Sequence, residues 1–130
     1  MENKKELLKA YLSENVAPIL IDFAKGEYIP GATIIPANVD ISELNGHYEG
    51  TEFMPPKWYK ELITNKNVKI LVIDLIDTVD KEEQLKFIEL LEYRKISTFE
   101  LPEDCVIIVT ASEINKEKIN EEIYSLVAQI

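Results

Sequence analysis

Lys69-Ile70-Leu71-Val72-Ile73-Asp74-Leu75-Ile76-Asp77 is the stretch on which the reading of the fold turns. Branched apolar residues fill it without the polar alternation of a half-buried strand, so it predicts a strand buried on both faces. Strands of that kind sit in parallel sheets whose faces are covered by helices. The Asp74 carboxylate then emerges at the strand's carboxyl end, where open α/β sheets place their ligands. Asp74 is therefore the first candidate site residue.

Downstream of this strand, Asp80 reads as a helix N-cap, with Glu83 three residues on completing a capping box. The spacing predicts a helix to about Arg94, with Leu85, Ile88, Leu91 and Tyr93 on its buried side. Ile96–Phe99 and Glu100–Pro102 read as a small ribbon or extended loop. Cys105–Thr110 is a second fully buried strand, and Lys116–Ile130 an amphipathic helix with Ile119, Ile123, Leu126, Val127 and Ile130 in one stripe. Upstream, Pro55-Pro56 opens a helix to about Thr64, since proline in a first turn loses no amide bond. Trp58, Leu62 and Ile63 are its expected buried face. His47–Phe53 reads as loop. Ile41–Leu44 is a short turn capped by Asp40 and closed by Asn45-Gly46. Thr33–Ala37 reads as a strand at a sheet edge, because Pro36 cannot donate to a ladder. Pro18–Phe23 is a further buried strand, and residues 3–13 a helix with Leu7, Leu8, Tyr11 and Leu12 on one face. Strands alternating with helices predict one three-layer α/β/α sandwich over residues 1–130, with a mainly parallel sheet of about four strands.

Composition narrows the function. The 130 residues are 46% apolar, as in soluble globular domains. No apolar run approaches the roughly 20 residues that span a bilayer, and the charged start, Met1 to Lys9, lacks the apolar core of a signal peptide. The one cysteine, Cys105, excludes an internal disulfide, fits a reducing cytoplasm and reads as a small core residue. The net charge of −10, from 24 acids against 14 bases, repels phosphate backbones and anionic membranes. Arg94 is the only arginine, which weighs against phosphate and nucleic-acid recognition.

The remaining candidates have ordinary readings. Asp77 and Asp80 are expected as helix-start residues complementing the dipole, with a small acidic cluster around Asp74 as the sharper alternative. His47 has no Cys or second His near it and reads as a surface residue. Thr110 and Ser112 place hydroxyls at a strand end, but no His-Asp partnership for nucleophilic work is visible. Trp58 reads as core, with Tyr59 outside. Glu82, Glu83, Glu89 and Glu92 read as a solvated face, with docking of a basic partner as the sharper alternative.

From Pro55 onward the order of features resembles the core of the AAA+ ATPases, especially the MoxR-like branch. Pro55-Pro56-Lys57-Trp58 opens a helix leading to the Asp74 strand. Ile76-Asp77, the helix with Leu90-Leu91-Glu92, a hairpin, Leu101-Pro102 and Val106-Ile107-Ile108-Val109-Thr110-Ala111-Ser112 follow. Ile34 to Gly46 is similar to that family's second strand and its Asp-x-Ser-x-Leu-x-Gly turn, so the likeness runs over residues 32–115. It implies a P-loop NTPase-like sheet ordered as second strand, Asp74 strand, Ser112 strand, first strand.

The departures from the family's pattern carry the functional expectation. Gly26-Glu27-Tyr28-Ile29-Pro30-Gly31-Ala32-Thr33 has the glycine spacing of a phosphate loop, but Ala32 stands where a lysine neutralises the β and γ phosphates. Ile34-Ile35-Pro36 is extended where a helix should follow, so the loop and its helix are expected to be missing. Leu75 takes the place of the water-activating Glu. Ser112 takes a sensor position usually held by Asn. No arginine finger lies in the last segment, and the chain stops before a lid domain, as in a truncated AAA+-like domain. Hydrolysis needs most of these parts together. The resemblance therefore implies a pseudoenzyme without cofactor, acting by contact with a protein partner or by self-association. The alternative is a weak or partner-assisted subunit binding ATP and Mg. Asp74 and Ser112 would be its vestigial cofactor residues, and Asp74 its metal ligand only if nucleotide binds.

Overall fold

The computed structural model describes residues 18–22, 31–64, 70–96, 99–103, 105–115 and 117–129. The helix expected over residues 3–13 and most of the Gly26–Gly31 spacing lie outside the described residues. Strands β1 (Ile19–Asp22), β2 (Thr33–Pro36), β5 (Ile70–Asp74), β8 (Val106–Ala111) and β9 (Ala128–Gln129) form one parallel sheet in the order β2-β5-β8-β1-β9. The first four stand in the expected order, and β2, with its Pro36, is an edge strand as expected. The mainly parallel α/β architecture is the one predicted.

Burial on both sides explains the centre of this sheet. Every residue of β8 is buried, and so are Ile70 to Ile73 of β5. Alternate residues serve two clusters. Leu20, Leu71, Ile73, Ile107, Val109 and Ala111 face the larger one, where Trp58, Leu62, Phe87, Leu90, Leu91 and Ile123 pack from the helices. Ile19, Ile21, Ile70, Val72, Val106 and Ile108 make the second cluster on the other side, with Ala32 against them.

Several expectations change. His47–Phe53 is not loop: β3 (His47–Glu49) and β4 (Glu52–Met54) pair antiparallel, with Tyr48 opposite Phe53 and the rings edge to face at 4.9 Å. The pair is mostly exposed, so it lacks the apolar alternation by which strands are read. It starts just after helix α1 (Ile41–Asn45), where Gly46 has φ +88 and a side chain would collide with the Met54 carbonyl. The ribbon further on is present as β6 (Lys95–Ile96) against β7 (Phe99–Glu100).

Helix α2 (Lys57–Thr64) buries Trp58 and Leu62, but Ile63 is exposed. The helix predicted over residues 80–94 is broken into α3 (Lys81–Gln84), a 3₁₀ turn (Leu85–Phe87) and α4 (Ile88–Tyr93). The tighter turn shifts the helical phase. Phe87, Leu90 and Leu91 are therefore buried, while Leu85 and Tyr93 face solvent. Asp80 has N-cap backbone geometry, yet its side chain makes no capping bond, and neither does that of Asp40. Among the described residues of the last segment the helix is α5 (Glu121–Leu126), where the Asn120 side chain caps by accepting from Glu122 N at 2.9 Å. The chain then turns extended at Val127 and pairs as β9 along β1, which satisfies backbone groups that an edge strand would expose.

Three polar side chains are buried among the described residues, Thr33, Gln84 and Thr110. Gln84 is fully buried, with Nε2 donating to the carbonyls of Ile76, Val79 and Lys118 and Oε1 accepting from Asn120 N at 2.8 Å. It ties the loop after β5 to the loop before α5. Gln84→Leu strands those buried partners and is expected to destabilise the fold by about 3 kcal/mol in urea denaturation, more than an exposed Glu82→Leu.

Candidate functional site

The carboxyl ends of β5 and β8 hold the predicted candidates. The Thr110 hydroxyl, fully buried, donates to Asp74 Oδ1 at 3.0 Å and accepts from Leu75 N at 2.8 Å. Asp74 is thus oriented by the neighbouring strand and remains only partly buried. Leu75 has φ 55 and ψ 60, a left-handed conformation that a bulky residue adopts at a cost of about 1 kcal/mol. Its carbonyl accepts from the N–H and the hydroxyl of Thr78 at 3.0 and 2.7 Å, which holds the turn in place.

Ser112 does not join Asp74. Its hydroxyl donates to Asp77 Oδ2 at 2.5 Å and its N–H to Oδ1 at 3.1 Å, while Glu113 N donates to Oδ2 at 3.3 Å. Asp77 sits in a 3₁₀ turn (Ile76–Thr78), and its carboxylate reaches across to the β8 end. Asp77 thus stands in a first turn, as expected, and its carboxylate has the further use of holding the end of β8. Partial burial raises its pKa, but the bonds from the Ser112 side chain and the Ser112 and Glu113 amides outweigh that and leave it below the ordinary carboxylate range. Asp80 is exposed and belongs to neither pair.

The two acids therefore form two separate pairs, Thr110–Asp74 and Ser112–Asp77. Among the described residues no group of three or more His, Cys, Asp or Glu side chains could hold a metal ion. A lone Asp74 does not make a magnesium cage; such an ion would also need substrate phosphates. Neither hydroxyl has a histidine beside it: His47 lies in the exposed hairpin near Glu49. Cys105 is buried as expected. The Trp58 indole donates to Leu44 O at 2.8 Å, a core role, and Tyr59 is tied by its hydroxyl to Glu100 O.

Arg94, the single arginine, works at the other end of β8. It caps α4 in a left-handed conformation, and its guanidinium donates to Pro102 O at 3.1 Å and Cys105 O at 2.7 Å. Six strand residues separate that end from Ser112, roughly 20 Å at strand rise. The scarcity of arginine is legible in the sequence, but this use of it is not. Nor is the burial of Gln84, because a lone Gln among helix formers carries no signal of burial.

No protein-family model matches the chain, and no curated protein matches it. Solved structures do. A candidate ATPase from Cytophaga hutchinsonii superposes with a TM-score of 0.63 over 98% of this chain and 45% of its own, at 11% identity. NtrX from Brucella abortus gives a TM-score of 0.56 over 96% of this chain and 35% of its own, at 16% identity. The chain thus spans less than half the length of either neighbour. The likeness is one of fold, and it matches the α/β core expected from the resemblance to AAA+ ATPases. No helix among the described residues is long and apolar enough to cross a membrane.

Two outcomes follow from the geometry. With its folded pKa lowered, Asp77 adds stability that is complete above the unfolded carboxylate value of about 3.9 and disappears as pH falls through the depressed value. Thermal melts of wild type and Asp77→Asn between pH 2.5 and 7 should therefore differ at neutral pH and converge at the acid end. Arg94→Lys loses the two-carbonyl fork and is expected to lower stability by about 1–2 kcal/mol by chemical denaturation.

Proposed function

We propose that this chain is a non-catalytic module on an AAA+-like core, acting through contacts with another protein. The observation that carries this reading is Leu75. It occupies the position after the strand-end acid, where the resembled family has the Glu that activates water. Both of its backbone groups are engaged, by Thr110 and Thr78, and its side chain carries no base. The rest of the strand end supports the same reading. Ser112 is held by Asp77, and Asp74 has one oxygen engaged by Thr110. In the sequence, Ala32 stands where a phosphate-neutralising lysine would be.

Calorimetry with ATP and Mg²⁺ tests the proposal. No heat of binding is expected up to millimolar nucleotide, and Leu75→Glu should not confer hydrolysis, because a base without a phosphate grip has nothing to act on. Micromolar ATP binding would favour instead a nucleotide-binding subunit completed by a partner. In that case Asp74→Ala should abolish the activity of the complex.

A further inference from the structure

Beside edge strand β2 lies a groove apart from the strand-end pairs, with the core residues Ile35 and Trp58 in its lining. Ala37 N donates to Asp74 O, so by alternation Thr33 and Ile35 also turn their backbone groups toward β5, and Ile34 and Pro36 turn theirs outward. Pro36 has no N–H, and its carbonyl accepts from Val39 N at 3.0 Å. The edge therefore offers one residue of ladder, the N–H and C=O of Ile34. Beside it lies a cavity of about 600 Å³ with Pro36, Pro56 and Trp58 among its apolar lining. Glu43 and Glu61, both exposed, supply acids to its wall against one lysine, Lys57. The Ile34 side chain, 47% exposed, adds apolar surface to the same lining.

We propose that this groove docks a short, extended, cationic segment of another protein. One residue of the segment pairs with the Ile34 backbone. Its apolar side chains pack against the Pro56–Trp58 wall and Ile34, and its flanking Lys or Arg side chains lie beside Glu43 and Glu61. Charge selects this occupant. The chain carries −10, which draws a basic segment in and opposes a second copy of itself. A second copy would also bring the same edge blunted by Pro36. This inference rests on the interaction-module reading, and names the surface and the chemistry of its partner.

The test is a titration of the ¹⁵N-labelled full chain with acetyl-Lys-Val-Ile-Val-Lys-amide. Saturable shifts are expected at the Ile34 amide and the Trp58 indole N–H. Glu43→Lys and Glu61→Lys, both on exposed positions, should each weaken binding about threefold to fivefold while leaving the rest of the spectrum in place. Equal binding of the Glu-flanked counterpart peptide, shifts that map elsewhere, or no shifts at millimolar peptide would overturn the proposal. So would concentration-dependent shifts of the same amides without peptide, which assign the groove to self-association. Adding ATP and Mg²⁺ to the same sample separates the two readings. Nucleotide binding sinks the non-catalytic one and leaves the groove intact, whereas peptide silence sinks only the groove.

Discussion

Burial of β5 and β8 on both faces is the constraint from which the rest follows. Two adjacent strands without solvent on either side leave no room for a polar side chain that lacks a partner. Thr110 shows how the constraint is met. It is the one polar residue inside β8, and its hydroxyl both accepts from Leu75 and donates to Asp74. That single oxygen orients the strand-end acid and holds the left-handed turn that follows it. Polar chemistry is thereby pushed to the carboxyl ends of the strands, where Asp74, Asp77 and Ser112 collect.

The same logic governs the connections. Loops that cross the ends of a buried sheet carry backbone carbonyls needing donors. Gln84 meets three of them at the carboxyl end of the sheet, and the Arg94 guanidinium meets two at the amino end of β8. These two side chains explain why an acidic, arginine-poor chain keeps this arginine and buries this glutamine. Both act on the frame of the domain, and neither reaches the Asp74 or Asp77 carboxylate.

The candidate site was legible in part. Asp74 follows an apolar run, and Ser112 follows another, so both were placed at strand ends by pattern alone. Which hydroxyl meets which acid was not legible, because Thr110 and Ser112 lie two residues apart and either could face Asp74. The register of β5 against β8, with Ile73 opposite Val109, and the turn at Leu75 separate them, giving Thr110 to Asp74 and Ser112 to Asp77. The exposed hairpin at His47–Met54 escaped for another reason. Its strands bury little, so register is written in cross-strand contacts such as Tyr48 with Phe53 rather than in periodicity.

The sequence by itself determined the sheet. Apolar runs, a proline at the edge and their alternation with helical segments specify a mainly parallel sheet, since burial pattern is a local property of side chains, whereas the strand order is what the resemblance to the AAA+ core implies. Only the tertiary structure decided the helix phases and the last strand. A 3₁₀ turn at Leu85–Phe87 buries Phe87 and leaves Leu85 exposed, beside the Gln84 side chain that reaches the Ile76 carbonyl. Ala128 and Gln129 become a strand because β1 offers an unpaired edge, a demand made by backbone groups more than a hundred residues away in the chain.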